Sequence, residues 1–334
     1  MRSAVLLVLA SLSFGLPALA ASPAPPAADV HQLQTVVVSG IQPGPGLWRV
    51  SKGDHVFWIL GTVTPVPRGM RWFAPKTEAV LARTQEIIGA PGVTINVGMG
   101  GMFKMAFAMP TMLRARKNPD GKTLREVLPA DLYTRWTALK QIYLGKDKSV
   151  EEWRPIFAAG ELYQAALQRA GLAFDNGVGR RLDKVADKRK IKRTRTVIEQ
   201  QIKDPKRLAK SFYKSELDDV ACFRSMLDRL EQDVAHAAEQ ANAWAVGNLP
   251  ELTRLVQGDN LASCFEAITK NEAMRSLGMD GADKRSEAQW LQAVDTALAA
   301  NHTSFGTLPV RKLLEPNGLL AKLQAKGYTV LPPE

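Results

Sequence analysis

The alternation of apolar runs with turn residues predicts a β-hairpin near the start of the chain. Two β-rich runs, residues 47–50 and 56–60, are joined by residues 51–55, whose glycine and aspartate are typical of a hairpin turn. The second run is almost wholly apolar, as expected of a buried strand. The hairpin should therefore place one strand inside the protein.

Apolar periodicity and Gly/Pro punctuation predict the later elements. We expect helices over residues 75–85, 130–143, 156–170, 205–245, 290–300 and 318–326. We expect strands over residues 87–88, 194–199, 303–305 and 327–330, a break at residues 90–93 and a turn at residues 306–310. The pattern predicts a mixed α/β protein with a helical subdomain over about residues 100–172.

The first 21 residues have the pattern of a secretory signal peptide. Arg2 precedes an apolar run over residues 4–16, and Pro17 precedes small residues typical of a cleavage site. The run is shorter than the roughly 20 residues that a membrane-spanning helix needs. We therefore expect a periplasmic or secreted protein with a linker over residues 22–45, a single domain over residues 46–334, and no transmembrane segment.

Composition supports a folded core and limits the partners. The chain has 334 residues, of which 46% are hydrophobic, and a formal net charge of +11. Export makes an anionic glycan, a lipid or a peptide a more accessible ligand than nucleic acid, which we do not expect as a partner. The basic run over residues 176–195 is either an anion-binding patch or a solvated helix face, and we favour the latter because no aromatic residues interleave with it.

Cys222 and Cys264 are the two cysteines of the chain. An even number of cysteines in an oxidising compartment permits one disulfide bond. Two separate buried thiols are the alternative, which the sequence leaves open.

Methionines recur every three or four residues over residues 98–116. Helical spacing would place them on one face, with Met99, Met102, Met105 and Met109 as candidate groove-lining residues. Packing or groove lining is the favoured interpretation, because flexible thioethers fill irregular spaces. Binding of Cu(I) by the thioethers is the alternative.

Two glycine-led motifs lie near the ends of the chain, Gly61-Thr62-Val63-Thr64 and Gly306-Thr307-Leu308-Pro309. The first, together with Leu47-Trp48-Arg49-Val50 and Ile59-Leu60, resembles the opening of the TraB/GumN family, which includes the Tiki-type metalloproteases. Residues 318–321 and 327–330 resemble its closing segment. The resemblance covers most of the chain beyond the signal peptide.

The resemblance implies a central mixed β-sheet flanked by helices, with a helical insertion. It also implies metal-dependent hydrolysis through histidines of two Gly-x-x-His motifs. Thr64 and Pro309 occupy the two histidine positions here; threonine is a weak ligand, and the proline side chain offers no donor or acceptor. Glu199 corresponds to an acidic residue of the family, whereas Gly89 and Ala90 stand where another acid is expected.

We therefore expect a catalytically degenerate binding or accessory protein, a pseudoenzyme that uses the former active-site cleft and needs no cofactor or metal. The residues assigned to the cleft are Gly61, Thr62, Thr64, Glu199, Gly306, Thr307 and Pro309. A peptidase or esterase with replacement metal ligands is the first alternative, and Cu(I) binding is the second. His302 lies near the second motif, and we interpret it as a loop residue in preference to a catalytic one.

Overall fold

The computed structural model describes residues 45–70, 74–97, 101–214, 219–256, 264 and 271–333. The predicted signal peptide and nearly all of the predicted linker lie outside these residues.

The strands, numbered in chain order, are β1 Leu47–Lys52, β2 His55–Thr62, β3 Val66–Pro67, β4 Glu86–Ile88, β5 Gly92–Asn96, β6 Leu172–Ala173, β7 Lys192–Thr194, β8 Val197–Gln201, β9 Thr303–Pro309 and β10 Thr329–Leu331. The helices are α1 Pro75–Leu81, α2 Gly101–Ala115, α3 Leu124–Val127, α4 Ala130–Tyr143, α5 Pro155–Arg169, α6 Val178–Arg189, α7 Pro205–Lys214, α8 Val220–Ala245, α9 Leu249–Leu255, α10 Glu272–Ser276, α11 Ala282–Ala300, α12 Val310–Leu313 and α13 Leu319–Ala325.

Six strands form a central mixed sheet in the order β10-β1-β2-β9-β4-β7. Strand β1 pairs antiparallel with both β10 and β2, whereas β2, β9, β4 and β7 run parallel to one another. The predicted hairpin is confirmed, since Lys52 pairs with His55 across a two-residue turn in which Gly53 has a φ of 61°. The mixed α/β class and the helix-flanked sheet are confirmed as well.

Two apolar cores hold the helices and the central sheet together. The first surrounds the sheet, where the buried rings of Phe57 and Trp290 meet edge to face with centroids 5.9 Å apart. The second joins residues 124–172 to α8, where Trp136 and Phe223 pack at 5.7 Å. Helix α8 thus packs on both the predicted helical subdomain and the sheet, through residues near its two ends.

Several predicted boundaries were wrong because pairing between distant segments overrides local sequence signals. The strand at residues 194–199 is interrupted at Arg195 and Thr196, beside the break between β4 and β5. Hydrogen bonds join the two interruptions: the Gly89 N–H donates to Thr194 O at 2.9 Å, and Thr196 Oγ1 donates to Gly89 O at 2.7 Å. Strands β5 and β8 then continue as a parallel pair, so the break predicted at residues 90–93 is shorter than expected.

Other boundaries differ in the helical parts. The amphipathic segment 205–245 is two helices, α7 and α8, and α11 begins at Ala282, eight residues before the predicted start at Trp290. Helix α1 ends at Leu81 because Gln85 already pairs its backbone N–H with Thr303 O at 2.9 Å. Among the described residues, no helix is both long and apolar enough to cross a membrane.

The two cysteines form a disulfide bond between α8 and the described position 264, with Cα atoms 4.2 Å apart. The interpretation of two separate thiols is therefore wrong. Both cysteines are buried.

The methionine segment forms helix α2, which packs against α7. Met105 and Met112 are half-buried, and Met109 is 48% exposed. Phe103 and Phe107 of the same helix point to solvent, at 76% and 79% exposure. Met99 lies outside the described residues.

A buried carboxylate, Glu86, joins the edge of the sheet to the loop before β9. Its oxygens accept hydrogen bonds from the Thr194 hydroxyl and from Asn301 Nδ2 at 2.8 Å, and Lys192 Nζ lies 3.0 Å away. Burial acts to raise the pKa of Glu86, but these three partners outweigh it and leave the pKa below the ordinary 4.5. The native state therefore favours the ionised form.

We expect Glu86→Gln to make the free energy of unfolding depend less on pH in the acid range. A depressed native pKa gives stability that is complete above pH 4.5 and is lost as the pH falls through the native value. The variant should lose about 1–2 kcal/mol of unfolding free energy at neutral pH and converge with the unmodified protein in acid. Urea unfolding from pH 7 down to pH 3 measures this, with Glu161→Gln on the exposed face of α5 as the control. A constant difference at all pH values would contradict the assignment.

Candidate functional site

The two glycine-led motifs lie side by side at the ends of two neighbouring strands in the middle of the central sheet. Gly61 pairs with Leu308 and Thr62 with Pro309 in the parallel ladder of β2 and β9, so both motifs lie at the carboxyl ends of their strands. The predicted turn at residues 306–310 is wrong, because β9 continues to Pro309. Its partner β2 pairs with it as far as Pro309, and β4 pairs with it on the other side up to Gly306; the local sequence does not reveal these partners.

Both motif glycines are required by close packing. A Cβ atom on Gly61 would lie 2.6 Å from Trp48 Cζ3, and one on Gly306 would lie 2.6 Å from Phe57 Cζ. These separations are well below van der Waals contact, so any side chain would force the sheet or its neighbours to move. The indole Nε1 of Trp244 on α8 also donates a hydrogen bond to Gly61 O at 2.6 Å. The glycines therefore allow Trp48 and Phe57 to pack closely against the strand pair that carries the two motifs.

A cavity of about 220 Å³ opens above these strand ends. The exposed side chains of Thr64 and Pro309 line the same cavity, so the two positions that the resemblance aligns with the family's histidines lie together here. The described lining consists of Thr62, Val63, Thr64, Arg229, Gln240, Val256, Pro309, Val310, Arg311 and Lys312.

A second cavity of about 200 Å³ adjoins the first, and the two share Arg229, Gln240, Val256 and Arg311. It adds Arg254, Asp233 and His236 to the lining. We refer to both cavities together as the basic cleft.

Arg229 is held rigidly at the centre of the basic cleft. Its Nε donates to Asp233 Oδ2 at 3.0 Å, and the Tyr163 hydroxyl donates to the same carboxylate oxygen. Burial acts to lower the pKa of Arg229, but the Asp233 carboxylate outweighs it and raises the pKa above the ordinary value. Burial, followed by the charge of Asp233, raises the pKa of Tyr163, so the phenol keeps its proton.

Lys312 contributes another cation to the lining of the first cavity. Its Nζ lies 3.0 Å from Glu315 Oε1 and 3.5 Å from Glu287 Oε1. Burial acts to lower the pKa of Lys312, and the two carboxylates reverse this, so the pKa is raised overall. The ammonium group is charged throughout the physiological pH range.

The residues of the first cavity do not fit a catalytic metal ion. Its described lining includes no histidine, cysteine or carboxylate, the groups that bind zinc and related ions. In the adjoining cavity, Asp233 is engaged by Arg229 and Tyr163, and His236 Nδ1 lies 3.3 Å from Glu239 on the same helix. The charged side chains in the described lining of the first cavity, Arg229, Arg311 and Lys312, are all cations, which suits an anion better than a metal ion.

The structure brings together most of the predicted cleft positions. Gly61, Thr62, Thr64, Gly306, Thr307 and Pro309 all lie at the ends of β2 and β9. Glu199 does not join them, because it is exposed on β8, opposite Thr94 in a separate two-stranded sheet. The methionines of α2 are also absent from the described lining.

Sequence reasoning missed the cations of the basic cleft. Arg311 and Lys312 lie two and three positions after the second motif, and this closeness in sequence was the available signal. Arg229 and Gln240 lie on α8, and nothing in their local sequence connects them with the strand ends. Sequence reasoning also missed the proximity of His55 to His302, whose ring centroids are 4.7 Å apart.

Comparison with known proteins supports the family resemblance and adds no individual relative. Searches of curated proteins and of solved structures each found no match. The model of the TraB/PrgY/gumN family matches residues 46–332. Because this match covers nearly the whole described fold, from β1 to β10, the chain belongs to the TraB/PrgY/gumN family.

Proposed function

We propose that this protein is an exported binding protein that holds an acidic group of its ligand in the basic cleft and does not carry out metal-dependent hydrolysis. The carrying observation is that Thr64 and Pro309 line one cavity with Arg229, Arg311 and Lys312, without a metal-binding side chain among the described lining residues. The signal-peptide pattern of the first 21 residues supports export.

The chemistry of the cleft favours a carboxylate, sulfate or phosphate. Guanidinium groups bind such oxyanions with paired hydrogen bonds, and a lysine adds a point charge. Gln240 supplies both a donor and an acceptor for neutral polar groups next to the anion. The ligand is therefore an acidic glycan, an acidic peptide or an anionic lipid, which share this chemistry.

The test compares two lysines that differ mainly in position. Lys312 and Lys326 have similar side-chain exposure, 42% and 44%, and each pairs with a carboxylate, but only Lys312 lines the cleft. Binding of a uronic-acid oligosaccharide, an acidic peptide and phosphatidylglycerol vesicles is measured by calorimetry. We expect Lys312→Gln and Arg311→Gln to weaken the preferred probe about tenfold, as for loss of one charge-assisted hydrogen bond, and Lys326→Gln to leave it unchanged.

Two outcomes would overturn the proposal. Equal weakening by Lys312→Gln and Lys326→Gln would mean that binding reflects net charge and not the cleft. Hydrolysis of peptides or esters that chelators abolish and that cleft substitutions also abolish would mean that replacement ligands build an active metallohydrolase.

A further inference from the structure

The amino ends of β2 and β9, opposite the ends that carry the basic cleft, bring a second group of polar side chains together. Val56 pairs with Thr303 at the amino ends of β2 and β9, so the residues just before them, His55 and His302, are neighbours. Asp54, in the hairpin turn, lies beside both. Seven strand steps of roughly 3.3 Å separate His55 from Thr62, which places this cluster about 23 Å from the basic cleft.

The three side chains converge closely enough to share one ion. His302 Nδ1 lies 3.1 Å from Asp54 Oδ2, and His55 Nε2 lies 3.8 Å from Asp54 Oδ1. One ligand atom from each residue lies within 4.8 Å of the other two. Because ligand atoms around a tetrahedral zinc ion are roughly 3.3 Å apart, small side-chain rotations are enough to close the site.

His55 already has the hydrogen bond that a metal-binding imidazole needs on its other nitrogen. Its Nδ1 lies 2.7 Å from Leu298 O at the end of α11. A carbonyl oxygen only accepts, so Nδ1 carries the proton in this hydrogen bond, and Nε2 is the ring nitrogen that faces Asp54. Such a backbone partner fixes the tautomer and orientation of metal-binding histidines.

The other two ligands are accessible from solvent. The side chains of Asp54 and His302 are 78% and 71% exposed, whereas that of His55 is 24% exposed. An ion can therefore enter without opening the fold, and it meets one prepositioned ligand and two adjustable ones.

We propose that Asp54, His55 and His302 form a binding site for a divalent transition-metal ion such as Zn²⁺ or Cu²⁺. Two imidazole nitrogens and one carboxylate oxygen are typical ligands of these ions, whereas Mg²⁺ and Ca²⁺ prefer oxygen alone and Cu(I) prefers sulfur. The bound ion would join the hairpin turn to the segment between α11 and β9. This site is independent of the basic cleft and of its ligand.

The experiment titrates the tag-free full chain with Zn²⁺ by calorimetry and with Cu²⁺ by electron paramagnetic resonance. His302→Ala removes an exposed ligand and leaves the core intact, and Asp54→Asn removes the carboxylate while keeping its shape. His236→Ala is the matched control, since His236 is also exposed and also lies beside a carboxylate, Glu239. We expect the unmodified protein and His236→Ala to bind one ion, and His302→Ala and Asp54→Asn to bind about tenfold more weakly or less.

Thermal unfolding gives a second measurement, because an ion that binds only the native state raises the melting temperature. Zn²⁺ should raise it in the unmodified protein and in His236→Ala, and not in His302→Ala. Equal Zn²⁺ affinity in the unmodified protein and His302→Ala, or a copper spectrum without coupling to imidazole nitrogen, would overturn the proposal. Anion binding in the cleft should be the same in His302→Ala, so failure of one proposal leaves the other testable.

Discussion

Replacing Gly306 by alanine is expected to lower the free energy of unfolding by about 3 kcal/mol, near the upper end of the usual cost of overpacking. The new methyl group would lie 2.6 Å and 3.0 Å from two carbons of the Phe57 ring and 3.1 Å from the backbone oxygen of Ile88. Phe57 is fully buried against Trp290, so its ring has little room to move. Chemical denaturation followed by tryptophan fluorescence measures the loss.

Gly179→Ala is the matched control for this substitution. Gly179 is exposed within α6, and a Cβ atom there would meet nothing within 4 Å. Alanine should stabilise that helix by about 0.5–1 kcal/mol, since it restricts the unfolded chain more than glycine does. An unchanged stability of Gly306→Ala would show that β9 and Phe57 are not packed as described.

Removing the disulfide is expected to have the other large effect. Cys222 and Cys264 are 42 positions apart, and closing a loop of this length stabilises a fold by about 4 kcal/mol in the chain-entropy model. The double variant Cys222→Ser/Cys264→Ser should therefore unfold at much lower denaturant concentration than the oxidised protein. Reduction of the unmodified protein should give nearly the same loss.

The double variant also supplies the control, because it cannot respond to reductant. A stability of the unmodified protein that does not change on reduction would contradict a structural role for the bond. A loss seen only with the serine substitutions would point to the buried hydroxyl groups as its cause, since both cysteines are buried.

The strand pair β2 and β9 carries different chemistry at its two ends. At the carboxyl ends, Thr64 and Pro309 line one cavity with Arg229, Arg311 and Lys312. At the amino ends, two imidazoles and a carboxylate converge. The same parallel register produces both clusters, since it aligns the starts of the two strands as well as their ends.

Much of the fold was determined by the sequence alone, wherever the signal is local. Two β-rich runs and the glycine and aspartate between them predicted the hairpin, and α4 spans the predicted residues, Ala130–Tyr143. Helix capping, helical periodicity and turn geometry depend on residues within a few positions of one another, so a single sequence reveals them. The motifs near the two ends of the chain were likewise sufficient to identify the family.

The limits of β9 and the set of residues that form the site depend on contacts between distant segments, so only the tertiary structure decided them. Strand β9 extends through Pro309 because β2 pairs with it as far as that residue, although glycine and proline predicted a turn. Arg229 lines the same cavity as Thr64 because Trp244 anchors α8 to the end of β2. Glu199 lies away from the site because β8 pairs with β5 in a separate sheet. Strand register and helix packing are set by the total free energy of many weak contacts across the fold, which the local pattern around each residue does not contain.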